Sequence, residues 1–362
     1  MNTEKNNILK VLLDEKVQLK LGEDGFSESL IKKLDITENK IFLRLEYGFP
    51  VKNRQDFIKN TINEHLTKSS SIKNISIVID VNIASHSTGK GTQLISGVKN
   101  IIAVASGKGG VGKSTTAVNL ALSLFLEGAR VGILDGDIYG PSIPSMLGIS
   151  GKPESPDGKT ILPMKGHGLQ ANSIGFLIPK NEAMVWRGPM VTQALEQLLR
   201  QTAWDDLDYL FIDLPPGTGD IHLTLAQKVP LTGAIIVTTP QEIALLDARK
   251  GIKMFEKVAV PLLGVVENMA SYICPNCEHV SHIFGSGGGE EISKVYKTRL
   301  LGSLPLNKTI REDSDSGVPT VLARDDLLGE KYKEISLKIA RYLASMKVND
   351  SLKFPKIVVE KT

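Results

Sequence analysis

The chain has 362 residues with 43 basic and 40 acidic side chains, so its formal net charge is only +3. At roughly 150 residues per domain, this length predicts about two domains. The near balance of charge argues against a dedicated nucleic-acid binder, and two cysteines are too few for a disulfide framework. No window holds the roughly 18 apolar residues of a membrane span, and no signal-peptide core follows the N-terminus. We therefore expect a cytoplasmic protein without nucleic-acid or membrane partners.

The first part of the chain, residues 1–83, is predicted to be a small α+β module. Apolar and polar residues alternate over residues 41–47 and again over residues 75–81, as in half-buried strands, and a helix is expected over residues 56–66. Residues 84–97 begin with a Ser, Gly and Thr stretch that lacks apolar periodicity. Such composition indicates a linker.

After the linker, short apolar runs alternate with helical segments. The runs are residues 101–105, 131–134, 209–212, 234–237, 262–266 and 300–304. Near-continuous apolar strands separated by helices are typical of a parallel sheet that is covered on both faces. The pattern predicts a doubly wound, mostly parallel α/β domain over residues 98–348, followed by a C-terminal tail over residues 349–362.

The clearest motif directly follows the first apolar run. Residues 107–114 read Gly-Lys-Gly-Gly-Val-Gly-Lys-Ser, which is the spacing of a phosphate-binding loop between a strand and a helix. In such a loop backbone N–H groups surround the phosphates, a lysine neutralises their charge and a hydroxyl ligates Mg²⁺. Ser114 is the predicted Mg²⁺ ligand. The predicted nucleotide-binding residues are Gly107, Lys108, Gly109, Gly110, Val111, Gly112, Lys113, Ser114 and Thr115.

Polar side chains also stand where three other apolar runs end. Asp135 and Asp137 follow the second run, Asp213 follows the third, and Asn268 follows the fifth. Because parallel strands end at one edge of the sheet, these residues are expected beside the phosphate loop. Asp213 fits the Walker B position that holds Mg²⁺ through a water, and Asp135 is expected to support the loop or Mg²⁺. Asn268 is placed either to read an adenine edge or to cap a loop.

The two cysteines form a separate motif, Cys274-Pro-Asn-Cys277. Three interpretations compete. His279 and His282 could complete a four-ligand zinc site within one chain. An iron–sulfur cluster needs four thiolates, which two chains of a symmetric dimer would supply. A redox dithiol is the third interpretation, although the pair does not open a helix near the first βαβ unit.

Six motifs, taken together, resemble the Mrp/Nbp35 (ApbC) family of the deviant P-loop NTPase (SIMIBI) class. They lie at residues 107–114, 134–142, 186–190, 213–220, 239–242 and 274–277, within a resemblance that spans about residues 98–345. The resemblance implies a Mg²⁺-dependent ATPase that forms a homodimer. It also implies a [4Fe–4S] cluster bridged by Cys274 and Cys277 of both subunits, received from an upstream scaffold and delivered to apoproteins.

The resemblance also implies roles for individual residues. Lys108 corresponds to the second lysine of the deviant class, which reaches the nucleotide of the partner subunit. Lys108, Lys113 and Asp137 are therefore expected to be catalytic, with Asp137 orienting the attacking water. Residues 1–83 stand where bacterial members carry a MIP18-like (DUF59) domain, but the Asp-Pro-Glu segment and the cysteine of that domain are absent here.

Two other functions stay open on the sequence alone. A ParA/MinD-type positioning ATPase would bind DNA or membrane, and MinD-like members end in a basic amphipathic membrane helix. Here the apolar stripe of Ile335, Ile339 and Leu343 is followed by a polar tail with Pro355, so that anchor is missing. A zinc-containing NTPase would use the same nucleotide motifs with a different metal at the cysteines.

Overall fold

A computed structural model describes residues 2–22, 25–37, 39–69, 72, 74–86, 93–178, 188–324 and 326–348. Three predicted features lie wholly or partly outside the described residues: Trp186 and Arg187 of the third motif, residues 87–92 of the linker, and the tail over residues 349–362. The chain divides into two compact units, one built mainly from residues up to 83 and one from the residues after it.

The N-terminal unit packs helices against one face of a small sheet. Its elements are α1 (Asn2–Leu12), α2 (Glu15–Leu21), β1 (Ile31–Thr37), β2 (Lys40–Tyr47), α3 (Gln55–Ser69) and β3 (Asn74–Val81). The sheet order is β1-β2-β3, with β2 antiparallel to β1 and parallel to β3. Ile41, Leu43, Leu45 and Tyr47 are fully buried in a core with helix residues, because successive side chains of a strand point to opposite faces. The predicted helix and the two predicted strands are confirmed, and β1 is additional.

The second unit alternates strands and helices along the chain. Its elements are β4 (Val98–Ala105), α4 (Lys113–Leu126), β5 (Val131–Asp135), α5 (Ile143–Met146), β6 (Met164–Gly166), β7 (Leu169–Ser173), α6 (Gly188–Gln201), β8 (Leu207–Asp213), α7 (Asp220–Lys228), β9 (Gly233–Thr238), α8 (Glu242–Lys257), β10 (Leu262–Glu267), β11 (Tyr272–Ile273), β12 (Val280–Ser281), α9 (Gly288–Val295), β13 (Leu300–Ser303), α10 (Lys308–Ser316), α11 (Thr320–Ala323) and α12 (Leu327–Ala344).

The central sheet of this unit has the order β13-β10-β9-β4-β8-β5-β7-β6. Neighbouring strands are parallel except for the β6–β7 pair at one end, which is antiparallel. Every residue of β5, β8 and β9 is buried, as expected for strands covered on both faces. The predicted doubly wound α/β fold of a P-loop NTPase is therefore confirmed. Strands β6 and β7 are additional, since their short, mixed sequences carry little apolar pattern.

Strand β4 marks the position where the order of the sheet reverses. The chain leaves β4 to build β5 and β7 on one side, returns to β8 beside β4, and then builds β9, β10 and β13 on the other side. Ligands of open α/β sheets bind at the carboxyl ends of the strands next to such a reversal. The segments that follow β4, β5, β8, β9 and β10 consequently meet at one edge.

The last described helix belongs to the core of this unit. Helix α12 packs on β13 and β10, and Ile335, Ile339 and Leu343 are buried. Packing is close, because a Cβ added at Gly302 would lie 2.6 Å from Cγ1 of Ile335. The apolar stripe is thus occupied by the sheet. Among the described residues, no helix is both long enough and apolar enough to cross a membrane.

The described parts of the predicted linker pack on the second unit. His86 is 2% exposed, and its ring Nδ1 lies 2.9 Å from the side-chain oxygen of Asn100 in β4. Ile95 is also buried. The assignment of residues 1–83 as MIP18-like and of residues 84–97 as a linker stays a prediction.

Candidate functional site

The phosphate loop, residues 106–112, connects β4 to α4 and turns sharply. Gly112 has a φ of +79°, in the left-handed region that side chains rarely adopt. Gly107 is required for a different reason, because a Cβ there would lie 2.3 Å from the carbonyl carbon of Asp247 in α8. The hydroxyl of Ser106 donates to the carbonyl of Lys108 at 2.9 Å and closes the loop on itself. This backbone can bring successive N–H groups around an anion at the start of α4.

A buried polar cluster lies at the start of α4. Nζ of Lys113 is 2.5 Å from Oδ1 of Asp213, and the hydroxyl of Ser114 donates to Oδ2 of Asp213 at 2.6 Å. Lys113 is 6% exposed and Asp213 is fully buried, so each charge is compensated by the other. The structure therefore brings together the predicted phosphate lysine and two of the three residues predicted at Mg²⁺, Ser114 and Asp213.

The oxygens of Ser114 and Asp213 fit a Mg²⁺ site. Magnesium prefers carboxylate, hydroxyl, phosphate and water oxygens. A hydroxyl and a carboxylate oxygen converge here beside the lysine that the motif assigns to phosphate. Ser114 would hold Mg²⁺ directly and Asp213 would hold it through a water, where the ion would neutralise phosphate charge.

Asp135 organises the segment that follows β5. Its Oδ2 accepts hydrogen bonds from the backbone N–H groups of Ser142 and Ile143 and from the hydroxyl of Ser173, at 3.0 to 3.1 Å. Asp135 pairs in register with Asp213 of β8. Burial and the charge of Asp213 raise the pKa of Asp135 to about 7. These contacts stabilise the segment after β5, and the predicted support of the phosphate loop or of Mg²⁺ stays a prediction.

Asp137 stands two residues further along the same segment and is half-buried. Its pKa is raised, mainly by burial and also by the charge of Asp213, while Lys113 opposes the shift. The charges of these three side chains therefore act on one another. A residue that orients the attacking water at the terminal phosphate has to lie near the phosphate lysine and the Walker B carboxylate.

The segment after β8, residues 214–219, is tied to the phosphate loop. The backbone N–H of Gly217 donates to the carbonyl of Ser106 at 2.9 Å. His222 is 4% exposed, and its Nε2 lies 2.7 Å from the carbonyl oxygen of Pro215, so this nitrogen carries the proton and donates. Burial lowers the pKa of His222, which keeps the ring neutral. His222 therefore packs against the segment that follows β8.

Two further predicted binding residues have partners within the protein. Nζ of Lys108 donates to the side-chain oxygen of Gln241, at 3.1 Å. The side-chain nitrogen of Asn268 donates to the carbonyl of Val111 at 2.8 Å, so Asn268 contacts the phosphate loop directly. Sequence patterns assign no role to Gln241. Its place after β9, at the same edge as the phosphate loop, is the signal that could have indicated the contact.

The cysteines lie at the tip of a hairpin, residues 272–281, which follows β10. Strands β11 and β12 pair, the N–H of Cys274 donates to the carbonyl of His279, and the N–H of Glu278 donates to the carbonyl of Cys274. Cys274 is half-buried, Cys277 is exposed, and neither forms a disulfide. Hydrogen bonds from the backbone N–H groups of Asn276 and Cys277 lower the pKa of Cys274. The thiolate, which is the form that binds metal, is thereby favoured.

A single-chain zinc site is not assembled in the structure. The described residues contain no group of three or more His, Cys, Asp or Glu side chains that could hold one metal ion. His282 instead hydrogen-bonds to the backbone, with Nδ1 2.9 Å from the carbonyl oxygen of Ala270. The four-ligand arrangement of Cys274, Cys277, His279 and His282 therefore has no geometric support within one chain.

Comparison with known proteins identifies the family of this chain. Residues 97–343 match the family model described as ParA: NUBPL iron-transfer P-loop NTPase. The chain is 55% identical to the iron-sulfur cluster carrier protein of Escherichia coli (strain K12) over 288 residues, covering 79% of this chain and 78% of that protein. It is 46% identical to the iron-sulfur cluster carrier protein of Haemophilus influenzae over 345 residues, covering 95% and 93%.

A solved structure is similar as well. The nucleotide-binding protein of Archaeoglobus fulgidus in complex with ADP is 40% identical, with a TM-score of 0.55, covering 61% of this chain and 87% of that chain. The predicted resemblance is confirmed by a family model that spans more than half of the chain and by relatives above 40% identity. The chain belongs to the ParA-type NUBPL iron-transfer P-loop NTPase family.

Proposed function

We propose that this protein binds and hydrolyses ATP and carries a [4Fe–4S] cluster, which it holds between two copies of the chain and transfers to apoproteins. The observation that carries the proposal is the placement of two incomplete sites at one sheet edge. A phosphate loop with its lysine and Walker B carboxylate follows β4 and β8, and a pair of accessible thiols follows β10. Family membership and the names of the relatives support the same assignment.

The nucleotide half of the proposal follows from the buried cluster at the start of α4. An incoming triphosphate offers Lys113 a second anionic partner, and Ser114 and Asp213 would then hold Mg²⁺ beside it. Asp137 would orient the attacking water through its carboxylate. Each of these groups is already within the same polar neighbourhood, so binding requires an exchange of side-chain partners.

Lys108 would complete the nucleotide site of a second copy. In the single chain its ammonium group donates to Gln241 and is part-buried. The acceptor in that contact is a neutral amide oxygen. Release to a phosphate of the partner would replace it with a hydrogen bond in which both donor and acceptor are charged. This arrangement is consistent with hydrolysis that depends on dimer formation.

The cluster half of the proposal follows from ligand number and exposure. A [4Fe–4S] cluster is held by four thiolates, and each chain has two cysteines, so two copies are needed. The side chains of Ile273, Val280 and Ile283 around the cysteines are each at least 50% exposed. Their burial against a second copy would contribute apolar contact around the cluster.

Transfer requires that the cluster be accessible to another protein. Cys277 is exposed and lies at the tip of a short hairpin rather than inside the core. A recipient cysteine can therefore approach the iron and replace one thiolate at a time, and an upstream scaffold can deliver the cluster by the reverse exchange. Residues 1–83 would form the MIP18-like domain of such a carrier.

The test is anaerobic reconstitution with iron and sulfide, followed by metal, sulfide and mass analysis of the purified protein. We expect a brown dimer with about four irons and four sulfides per two chains, the content of one such cluster. Cys277→Ser and Cys274→Ser should each lose the colour, whereas the matched substitution His279→Ala should retain it. A colourless protein with one zinc per chain, lost in His279→Ala, would show that the cysteines hold zinc instead.

A further inference from the structure

We propose that Asn268 mechanically couples the phosphate loop to the cysteine hairpin, so that an occupied nucleotide site changes the reactivity of Cys274 and Cys277. The inference deepens the proposed function and rests on it in one respect: the phosphate loop must bind nucleotide. It makes Asn268 a positioning residue, because it acts through the loop and the hairpin rather than on the reacting atoms.

The first step lies on the phosphate-loop side. The Asn268 amide nitrogen donates to the carbonyl of Val111 at 2.8 Å, and Asn268 is only 7% exposed. The approach is so close that a Cβ added at Gly112 would lie 2.2 Å from this nitrogen. In a trans peptide the C=O and the next N–H point in opposite directions. By holding the Val111 carbonyl, Asn268 therefore turns the Gly112 N–H to the far side of the same peptide plane.

A phosphate acts on this peptide from that far side. Backbone N–H groups of the loop are the donors that surround phosphate oxygens, and the Gly112 N–H belongs to this set. A hydrogen bond to phosphate therefore reorients the peptide plane between Val111 and Gly112, to which Asn268 is bonded through the Val111 carbonyl. Because the side chain is buried and the contact is short, Asn268 must move with this peptide plane or lose a buried hydrogen bond.

The second step shows that Asn268 passes such a displacement into its own backbone. Its side-chain oxygen accepts from the N–H of Met269 at 2.9 Å, and its backbone N–H donates to the carbonyl of Thr238 at 2.7 Å. Met269 has a φ of +56°, a conformation that a non-glycine residue keeps only where its surroundings impose it. The side chain and backbone here form one stiff unit, so a shift of the amide moves the Met269 peptide.

The third step reaches the base of the hairpin. The N–H of Ala270 donates to the carbonyl of Leu304 at 2.9 Å, and its carbonyl accepts from Nδ1 of His282 at 2.9 Å. His282 directly follows β12, whereas Ala270 precedes β11, so this bond joins the two ends of the hairpin. Two side-chain hydrogen bonds, linked by residues 268–270, thus connect the loop that binds phosphate to the segment that carries both thiols.

This arrangement also separates two roles for Asn268. Both ends of its amide are engaged within the protein, the nitrogen with Val111 and the oxygen with Met269. If Asn268 instead read an adenine edge with its second N–H and its second oxygen lone pair, substitution would change base preference. Coupling instead predicts that substitution leaves base preference unchanged and removes the effect of nucleotide on the thiols.

The experiment measures thiol alkylation in the full-length, cluster-free protein. Iodoacetamide modification of Cys274 and Cys277 is followed by mass spectrometry with and without saturating Mg-ADP, and nucleotide binding is measured by calorimetry for every variant. In the wild type we expect the alkylation rate of at least one cysteine to change about fivefold or more, the lower range of allosteric couplings. In Asn268→Ala and His282→Ala at saturation, the change should fall below about twofold.

Asn307→Ala is the matched control. Asn307 caps α10 through the N–H of Thr309 at 2.8 Å, so its loss also removes a side-chain hydrogen bond but leaves the path intact. This variant should retain the full response to nucleotide. If Asn268→Ala fails to fold or to bind nucleotide, His282→Ala decides the outcome, because its substitution leaves the phosphate loop untouched.

Two results would overturn the coupling. One is a wild-type protein that binds Mg-ADP without any change in thiol alkylation. The other is an undiminished response in the substituted proteins. Failure of the proposed cluster function would be seen separately, as absence of iron and sulfide after reconstitution, because the alkylation experiment uses no cluster. Reciprocity supplies a further check on the equilibria: if nucleotide changes the affinity for the cluster, cluster loading must change the affinity for nucleotide by the same factor.

Discussion

The phosphate loop and the cysteine hairpin occupy the same edge of the sheet but are built in opposite ways. The nucleotide cluster is buried, and its lysine, hydroxyl and carboxylate are already bonded to one another. The hairpin exposes Cys277 and surrounds it with exposed apolar side chains. One region satisfies its polar groups inside a single chain, while the other leaves ligands available.

This difference in burial determines whether each site can be organised within one chain. A buried charge must be paired, and so the nucleotide site has to be organised before the nucleotide arrives. The thiols of the half-buried Cys274 and the exposed Cys277 carry no such requirement, so they can stay unligated until a metal and two more thiolates are supplied. The molecule thus keeps a prepared nucleotide site and half of a cluster site, and the predictions below test this contrast.

The largest effect is expected from Lys113→Ala, which should disable the nucleotide site and leave the cysteine hairpin intact. The substitution removes the positive charge that faces phosphate and leaves the buried Asp213 without its partner. We expect nucleotide affinity to fall about ten- to hundredfold, since a hydrogen bond to a charged group contributes about 1.5 to 3 kcal/mol. The unpaired Asp213 should also lower the free energy of unfolding by about 3 to 5 kcal/mol. Iron and sulfide content after reconstitution should stay near the wild-type value. Calorimetry and metal analysis of one preparation check both parts, and a parallel loss of cluster would contradict the separation of the two sites.

An intermediate effect is expected from glycine substitutions within the phosphate loop. Gly107→Ala places a methyl group 2.3 Å from the backbone of α8, whereas a Cβ at Gly109 meets nothing within 4 Å. Gly107→Ala should lower the free energy of unfolding by about 1 to 3 kcal/mol, the usual range for overpacking. Gly109→Ala should stay within about 1 kcal/mol of the wild type. Urea unfolding of the two variants measures the difference, and equal stabilities would show that α8 yields to the added methyl group.

The smallest effect concerns the hairpin and its pH dependence. Backbone N–H groups stabilise the Cys274 thiolate and lower its pKa. The thiolate fraction of Cys274 should therefore persist to lower pH than that of a free cysteine, and alkylation should remain fast at pH values where a cysteine peptide has become protonated and slow. The test is the alkylation rate of Cys274 in the folded protein, measured as a function of pH and compared with that of a short cysteine-containing reference peptide. Coinciding profiles would show that the hairpin does not prepare the thiol for metal.

Much of this site is predictable because its motifs are local. The phosphate loop needs glycines, lysine and serine at fixed spacing between a strand and a helix, and residues 107–114 contain that spacing in that context. The apolar runs identify the buried strands for the same reason, since a strand covered on both faces must be apolar throughout. The short strands β6 and β7 cannot be predicted in this way, because they form by pairing with neighbouring strands and have no local apolar pattern.

The contacts between motifs are set by tertiary structure. Sequence indicates that Asp135 and Asp213 end strands of the same sheet, but only strand order and register place them opposite each other, where the charge of Asp213 helps to raise the pKa of Asp135. Likewise, Asn268 lies 157 positions from Val111 in the sequence, and no sequence spacing predicts the hydrogen bond between them. Gln241 contacts Lys108 only because β9 and β4 are adjacent.

The amino-acid sequence by itself determined the class of the fold, the position of the nucleotide loop and the number of thiolates that one chain can offer. These are local or additive properties, set by spacing, periodicity and count. Tertiary structure decided which carboxylate supports a loop and which faces Lys113, and it decided that the histidines of the hairpin do not gather around the cysteines. Such outcomes depend on strand order, register and burial, which bring together residues that the chain keeps far apart.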